Sequence, residues 1–222
     1  MKLTTFEDVK KNPYVLEFIK QTDISLESIG YTDHGIRHTE LVAKRSKQLA
    51  KDTGLSEREQ DLCAIAGFCH DMGNFLSRTN HHYWATLLFS QIFINEFDPK
   101  ELTVLIQAIS NHDRNEMRFT NKVSAITVLA DKSDVHRSRV RQGNIEDVKN
   151  DLHDQVNYAV TKSVLQVDDI KKEIKLILEI DTNFSPVMKY FTIFTERMTY
   201  CREAADFLGY KFGLEINKFI LL

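Results

Sequence analysis

Apolar residues recur every three or four positions along the first two thirds of the chain, a spacing that predicts amphipathic helices. Ser56 followed by Glu59 forms a capping-box pattern, and Asp98 before Pro99 is a typical helix start. The helix that opens at Ser56 ends at a His-Asp doublet. The predicted helices cover residues 35–51, 57–71, 81–97, 99–112 and 121–139.

The pattern changes in the last third, where two segments rich in β-branched residues predict strands. In the second segment, apolar residues from Ile174 to Ile180 largely alternate with charged ones. Pro186 then opens a helix that Gly209 ends. The predicted order is strand 156–167, a turn at 168–169, strand 170–180, helix 185–208 and strand 210–222. We therefore expect a ββαβ appendage over residues 151–222, packed on a helical body of residues 1–150.

Composition narrows the class of protein. Only 3 prolines and 8 glycines occur in 222 residues, which favours a helix-rich fold, and 42% hydrophobic with 27% charged residues is typical of soluble globular proteins. A net charge of −3 argues against binding nucleic acid by bulk charge. The three cysteines form no CxxC pair, and the chain shows no signal-peptide pattern and no apolar run of about 20 residues. We expect a cytoplasmic protein that does not contact membranes.

Polar residues interrupt the apolar helical segments at three places. The doublet His70-Asp71 follows one apolar segment and Asp131 follows another. His38 lies upstream, in a third helical segment. Because a bare buried carboxylate is costly, these acids need partners, and a divalent metal is one that imidazole nitrogens and carboxylates share. Adjacent residues on a helix point about 100° apart, so the doublet can face one ion only where the helix ends or bends. Gly73 is a candidate for that break.

The order His, His-Asp, Asp resembles the HD-domain superfamily of metal-dependent phosphohydrolases. The resemblance covers residues 31–141 and implies a mainly α fold, an HD-type helical bundle carrying the small α+β appendage. It also implies one metal ion bound by His38, His70, Asp71 and Asp131. His34, one helical turn before His38, is favoured as a cap or as a group that supports a ligand.

Further histidines between the doublet and the last aspartate resemble the branches of this superfamily that bind two metals. There the doublet aspartate bridges the ions, which implies a second group of Asp71, His112 and either His81 or His82. We favour His81, because a small residue, Ala85, follows four positions later as in the family. His82 remains the alternative, and either histidine could instead contact phosphate. The expected cofactor is one or two divalent ions of Fe, Mn, Mg, Co, Ni or Zn.

The resemblance implies an enzyme that cleaves a nucleotide or another small phosphate ester by attack of a metal-activated water. Whether it is a phosphomonoesterase or a phosphodiesterase stays open. Asp71 would serve catalysis as the bridge, and Lys132 and Arg137 would meet phosphate, since basic residues often follow the family's last aspartate. Arg78 is a further candidate for that role, whereas Arg139 and Arg141 fit a solvated helix face better.

Two other functions compete with hydrolysis. The same superfamily includes di-iron oxygenases, and a non-catalytic metal- and nucleotide-binding sensor module would keep a similar body. The appendage also raises the question of assembly, because an exposed terminal strand at residues 218–222 would need covering. A homodimer paired through that edge is therefore a hypothesis.

Overall fold

The computed structural model describes residues 3–114, 117–141 and 145–221, apart from the side chains of Ile145 and Asp147. The chain forms two compact units, Met1–Asp131 and Lys132–Leu222. The domain division predicted after residue 150 stays a prediction. No helix in the described ranges has both the length and the apolar character needed to cross a membrane.

Helices build the first unit, and most of them begin where the sequence predicted. Ser56 and Glu59 form the expected capping box at the start of α4, and the Asp98 side chain accepts a hydrogen bond from the backbone N–H of Lys100 at the start of α6. The helices are α1 Phe6–Lys10, α2 Pro13–Ser28, α3 Ile36–Asp52, α4 Glu57–Cys69, α5 His81–Phe93, α6 Pro99–Asn111 and α7 Lys122–Lys132, whose last residue belongs to the second unit.

Helices α3 and α4 pack closely because a glycine lies where they cross. A Cβ on Gly67 would stand 2.8 Å from the hydroxyl oxygen of Ser46 and 3.1 Å from the carbonyl oxygen of Val42. Any larger residue would push the helices apart, so Gly67 sets their spacing. The close crossing also brings the start of α3 beside the end of α4, which positions His38 near His70.

The fifth predicted helix is shorter than expected. Helix α7 ends at Lys132 rather than at Arg139, so Asp131 lies in its last turn and not in its middle. The chain then forms a separate 3₁₀ helix, Arg137–Arg139, which the side chain of His136 caps by accepting a hydrogen bond from the backbone N–H of Ser138. This local cap competes with continuation of the helix, a known effect of polar side chains near turns.

The second unit contains a four-stranded sheet of order β1-β2-β3-β4. Strands β1 and β2 pair antiparallel, β2 and β3 parallel, and β3 and β4 antiparallel. The alternating apolar residues predicted in β2, from Ile174 to Ile180, are buried. The elements are α8 Ile145–Asn150, α9 Leu152–Ala159, β1 Val160–Asp168, β2 Glu173–Ile180, α10 Val187–Leu208, β3 Lys211–Ile216 and β4 Phe219–Ile220.

Two details of this unit differ from the prediction. The first four residues of the predicted strand 156–167 belong to α9, and the predicted last strand is divided into β3 and β4. The two residues between β3 and β4, Asn217 and Lys218, adopt φ values of 50° and 70°, and the chain reverses tightly there. The mainly α fold with a small C-terminal α+β appendage is confirmed, and the sheet means that the chain is not all-helical.

Candidate metal centre

Four side chains from three helical segments converge inside the first unit. His38 comes from the first turn of α3, His70 and Asp71 follow the end of α4, and Asp131 lies in the last turn of α7. Nε2 of His38 lies 3.3 Å from Nε2 of His70, 3.5 Å from Oδ2 of Asp71 and 3.4 Å from Oδ1 of Asp131. Nε2 of His70 lies 3.3 Å and 3.5 Å from the same two oxygens. We call these four residues the first ligand group.

The spacing of the first ligand group fits a divalent ion. Four donors about 2.0–2.2 Å from one ion in a tetrahedral arrangement lie about 3.3–3.6 Å from one another. The five separations given above fall between 3.3 and 3.5 Å. Two imidazoles and two carboxylates are also the donor set that borderline divalent metals accept. The residues present therefore fit a metal.

A second group shares Asp71 with the first. The other oxygen of this carboxylate, Oδ1, lies 3.2 Å from Nε2 of His81 and 3.5 Å from Nε2 of His112. The two imidazole nitrogens are 2.9 Å apart. Asp71, His81 and His112 are all buried and offer their ligand atoms to one point. We call these three residues the second ligand group. One oxygen of the Asp71 carboxylate thus serves each group.

Backbone carbonyls orient three of the histidines. Nδ1 of His70 lies 2.8 Å from the carbonyl oxygen of Gly67, Nδ1 of His112 lies 2.7 Å from that of Ile109, and Nδ1 of His81 lies 2.8 Å from that of Arg78. Each carbonyl belongs to the residue three positions earlier. Nδ1–H therefore donates, and the lone pair of Nε2 is left to face the centre, as in metal-ligating histidines.

Electrostatics in the first ligand group favour a cation. Burial lowers the pKa of His70, but the carboxylates of Asp71 and Asp131 outweigh it and raise that pKa to about 10. Burial likewise raises the pKa of Asp71, yet the charge of His70 and the contacts with the imidazoles of His112, His70 and His81 bring it well below its usual value. Both shifts come from the pairing of imidazole with carboxylate: the carboxylates stabilise the protonated form of His70, and the imidazoles stabilise the ionised form of Asp71.

The surroundings of His112 in the second ligand group keep this histidine neutral. Burial, together with the nearby His70 and His81, lowers the pKa of His112 to about 4, although the contact with the Asp71 carboxylate acts in the opposite direction. A neutral imidazole keeps its Nε2 lone pair free to bind a metal at neutral pH. His112 can therefore coordinate a metal without first losing a proton.

Two residues that the sequence did not single out support the second ligand group. The Asn74 amide donates to Oδ1 of Asp71 at 2.9 Å and to the Asp71 carbonyl oxygen at 3.0 Å, which fixes the shared carboxylate. Asp113 places Oδ2 3.7 Å from Nε2 of His81. Asn74 lies three residues after the doublet, and Asp113 directly follows His112. Their nearness in sequence to proposed ligands was the signal that could have identified them.

Gly73 acts differently from the sequence prediction. It does not adopt a positive φ, so it does not end α4 by a left-handed turn. A Cβ at this position would collide with the carbonyl oxygen of His81 and the amide nitrogen of Ala85. Gly73 therefore allows the start of α5 to approach the doublet closely, which brings His81 within reach of Asp71.

The structure places His81, and not His82, against Asp71. His82 is 5% exposed, its Nδ1 makes no hydrogen bond within the described residues, and it belongs to none of the ligand groups found there. His34 is also outside those groups. Its Nδ1 lies 2.6 Å from the carbonyl oxygen of Thr32, and its ring lies 5.5 Å from that of His38.

The predicted phosphate-binding cations belong to the second unit. Lys132 is buried at the end of α7, and the Arg137 guanidinium lies over the ring of Tyr158, 5.3 Å from its centroid. Their role in catalysis stays a prediction. Arg139 is not on a solvated helix face as expected, because it is 5% exposed and its Nη1 donates to the carbonyl oxygen of Asp134 at 2.9 Å.

The helical unit holds a site with a shared carboxylate whose donors could bind divalent metal. Comparison with known families agrees, since residues 35–136 match the family described as HD domain. The match contains all six residues of the two ligand groups. This match confirms the resemblance to the HD-domain superfamily of metal-dependent phosphohydrolases found in the sequence.

A curated relative gives weaker information. An uncharacterized protein of Methanocaldococcus jannaschii is 26% identical to this chain over 159 aligned residues. The match covers 61% of this chain and 61% of that protein, so the chain spans about three fifths of the relative's length. That protein is uncharacterized, so the match supports relatedness without indicating a substrate.

Proposed function

We propose that this protein is a metal-dependent phosphohydrolase that cleaves a nucleotide or another small phosphate ester with water. The observation that carries the proposal is the Asp71 carboxylate, with Oδ2 in the first ligand group and Oδ1 in the second. A shared carboxylate is how proteins hold two ions close enough to act on one phosphoryl group.

The ligand residues define what the chain itself contributes. The first ligand group would hold one divalent ion and the second another. Bound there, such ions supply a Lewis acid for a phosphoryl oxygen and a water of lowered pKa. The carbonyl-bound histidines keep their Nε2 lone pairs fixed, and Asn74 keeps Asp71 from rotating. Fixed donors avoid reorganisation during the reaction, which is the main source of electrostatic catalysis.

The exposure of side chains around the centre favours a small substrate. The ligand side chains are almost entirely buried, whereas the side chains of Asp113 and Arg78 beside His81 are 36% and 30% exposed. Tyr31, 42% exposed, lies next to Arg78 and offers an aromatic face of the kind on which nucleobases stack. Lys132 and Arg137 remain the cations proposed from the sequence to meet phosphate.

The first experiment measures metal content and turnover on the same preparation. Elemental mass spectrometry of freshly purified protein gives the identity and equivalents of bound metal, and we expect about two divalent ions per chain. The loaded protein is then assayed anaerobically for release of inorganic phosphate from nucleoside monophosphates and for opening of cyclic nucleotides. Hydrolysis of either class supports the proposal and also decides between monoester and diester cleavage.

Variants make the assay specific. His70→Ala removes a donor of the first ligand group and should abolish hydrolysis, whereas His82→Ala changes a buried histidine outside both groups and should retain it. Oxygen uptake with bound iron and no anaerobic hydrolysis would establish the oxygenase instead. Tight nucleotide binding without turnover, across several metals, would establish the sensor module.

A further inference from the structure

Arg78 connects the second ligand group to solvent. Its Nη1 lies 3.1 Å from Nδ1 and 3.4 Å from Nε2 of His81, so the guanidinium lies against the imidazole of a proposed ligand. The side chain is 30% exposed, whereas that of His81 is 1% exposed. Arg78 is therefore a cation that both the centre and a molecule arriving from solvent can touch.

The local contacts hold Arg78 in place while leaving donors available. Nη1 donates to Oδ1 of Asn74 at 3.0 Å, and the guanidinium carbon lies 5.6 Å from the ring centroid of Tyr31. Nη2 is 3.9 Å from Oδ2 of Asp113, which is too long for a hydrogen bond. Within the described residues, neither Nε nor Nη2 of Arg78 makes a hydrogen bond.

Asn74 links this arginine to the shared carboxylate. Its amide nitrogen donates to Oδ1 of Asp71, and its amide oxygen accepts from Nη1 of Arg78. The amide thus fixes the guanidinium and the Asp71 carboxylate in one frame. The guanidinium of Arg78 is planar, has N–H donors available and is held beside the proposed metal centre. Its donors match the geometry of phosphate oxygens.

We infer that Arg78 is a substrate-binding residue that grips the phosphoryl group at the second ligand group, and that Asn74 is its positioning residue. The inference rests on the proposed function, because a phosphoryl group must first be drawn to the metal centre. It assigns the phosphate contact to a residue of the first compact unit, in addition to Lys132 and Arg137 proposed from the sequence.

The test is calorimetric titration of inorganic phosphate into the metal-loaded full chain, with metal content measured on every sample. We expect Arg78→Gln to weaken phosphate binding about 10- to 100-fold, the range for losing hydrogen bonds to a charged group. Arg78→Lys keeps the charge but loses the planar guanidinium. Its affinity for phosphate should therefore lie between those of the starting protein and of Arg78→Gln. Metal equivalents should stay unchanged in both variants.

Lys51→Ala is the matched control. It also removes one positive charge, but Lys51 lies 13 residues after His38 on α3, about 20 Å along the helix axis. Its phosphate affinity should equal that of the starting protein. Two results for Arg78→Gln would overturn the proposed role of Arg78 and leave the proposed function standing. One is a phosphate affinity equal to that of the starting protein, and the other is loss of bound metal together with phosphate binding. A metal-loaded starting protein that binds no phosphate would overturn the proposed function as well.

Discussion

Replacing Gly73 with alanine tests how the second ligand group is built. A Cβ at this position would stand 2.9 Å from Cβ of Trp84 and closer still to two backbone atoms of α5, the carbonyl oxygen of His81 and the amide nitrogen of Ala85. Backbone atoms cannot rotate away as a side chain can. The start of α5 must therefore shift by on the order of 1 Å to restore ordinary contact distances.

The magnitude follows from overpacking. Forcing an extra methyl group into a closely packed site reduces the free energy of unfolding by about 1–3 kcal/mol. For a chain of this length, each kcal/mol lowers the melting temperature by about 2–4 °C, so a decrease of about 2–12 °C is expected. The shift carries His81 away from Oδ1 of Asp71, now 3.2 Å distant, and leaves the first ligand group on α3, α4 and α7 largely in place.

The assay combines thermal melting by circular dichroism with metal content after dialysis. Gly73→Ala should retain about one metal equivalent and lose the other. Gly54→Ala is the control, because Gly54 has φ +76° and open space around it, so alanine there strains the backbone without touching either ligand group. That variant should melt lower yet keep both equivalents. If Gly73→Ala melts lower but binds both ions with unchanged affinity, the close approach at Gly73 does not determine the second ligand group.

Three further predictions test the centre. His112→Ala should lose the second metal equivalent while His82→Ala keeps both, as elemental analysis of dialysed protein would show; equal loss from the two variants would contradict the assignment. Asp71→Asn should release metal from both ligand groups while keeping the side-chain shape, and unchanged metal content would count against the shared carboxylate. In chelator-treated protein, the raised pKa of His70 stabilises the fold fully below about pH 6.5, and this contribution is lost as the pH rises through about 10. Urea unfolding between these pH values should show the decline, and His70→Gln should flatten it.

Much of the fold follows from local patterns that the sequence displays. The capping box at Ser56, the Asp98-Pro99 start of α6 and the stop at Gly209 each satisfy backbone groups with nearby atoms. Strand β2 was predictable because its alternating residues meet one buried face. Helix α2 could also have been found, since Asn12 before Pro13 is the same kind of start as Asp98-Pro99.

Other features depend on contacts between distant parts of the chain. The end of α7 at Lys132 was missed because no glycine or proline marks it, and the competing cap is made by the side chain of His136, whose Nε2 lies 3.1 Å from the distant carbonyl oxygen of Thr161. The choice of His81 over His82 needed the direction in which α5 approaches the doublet. The role of Gly73 was also hidden, because a close approach between backbones leaves no signal in its own segment.

Because the two oxygens of Asp71 belong to different ligand groups, the groups are thermodynamically coupled. An ion in the first group would neutralise and anchor the carboxylate that the second must use, so binding at one would change affinity at the other by the same factor. Typical coupling between sites is about 5- to 150-fold. Loading of the two groups should then be interdependent, and a change that weakens metal binding at one group would also change how much metal the other retains.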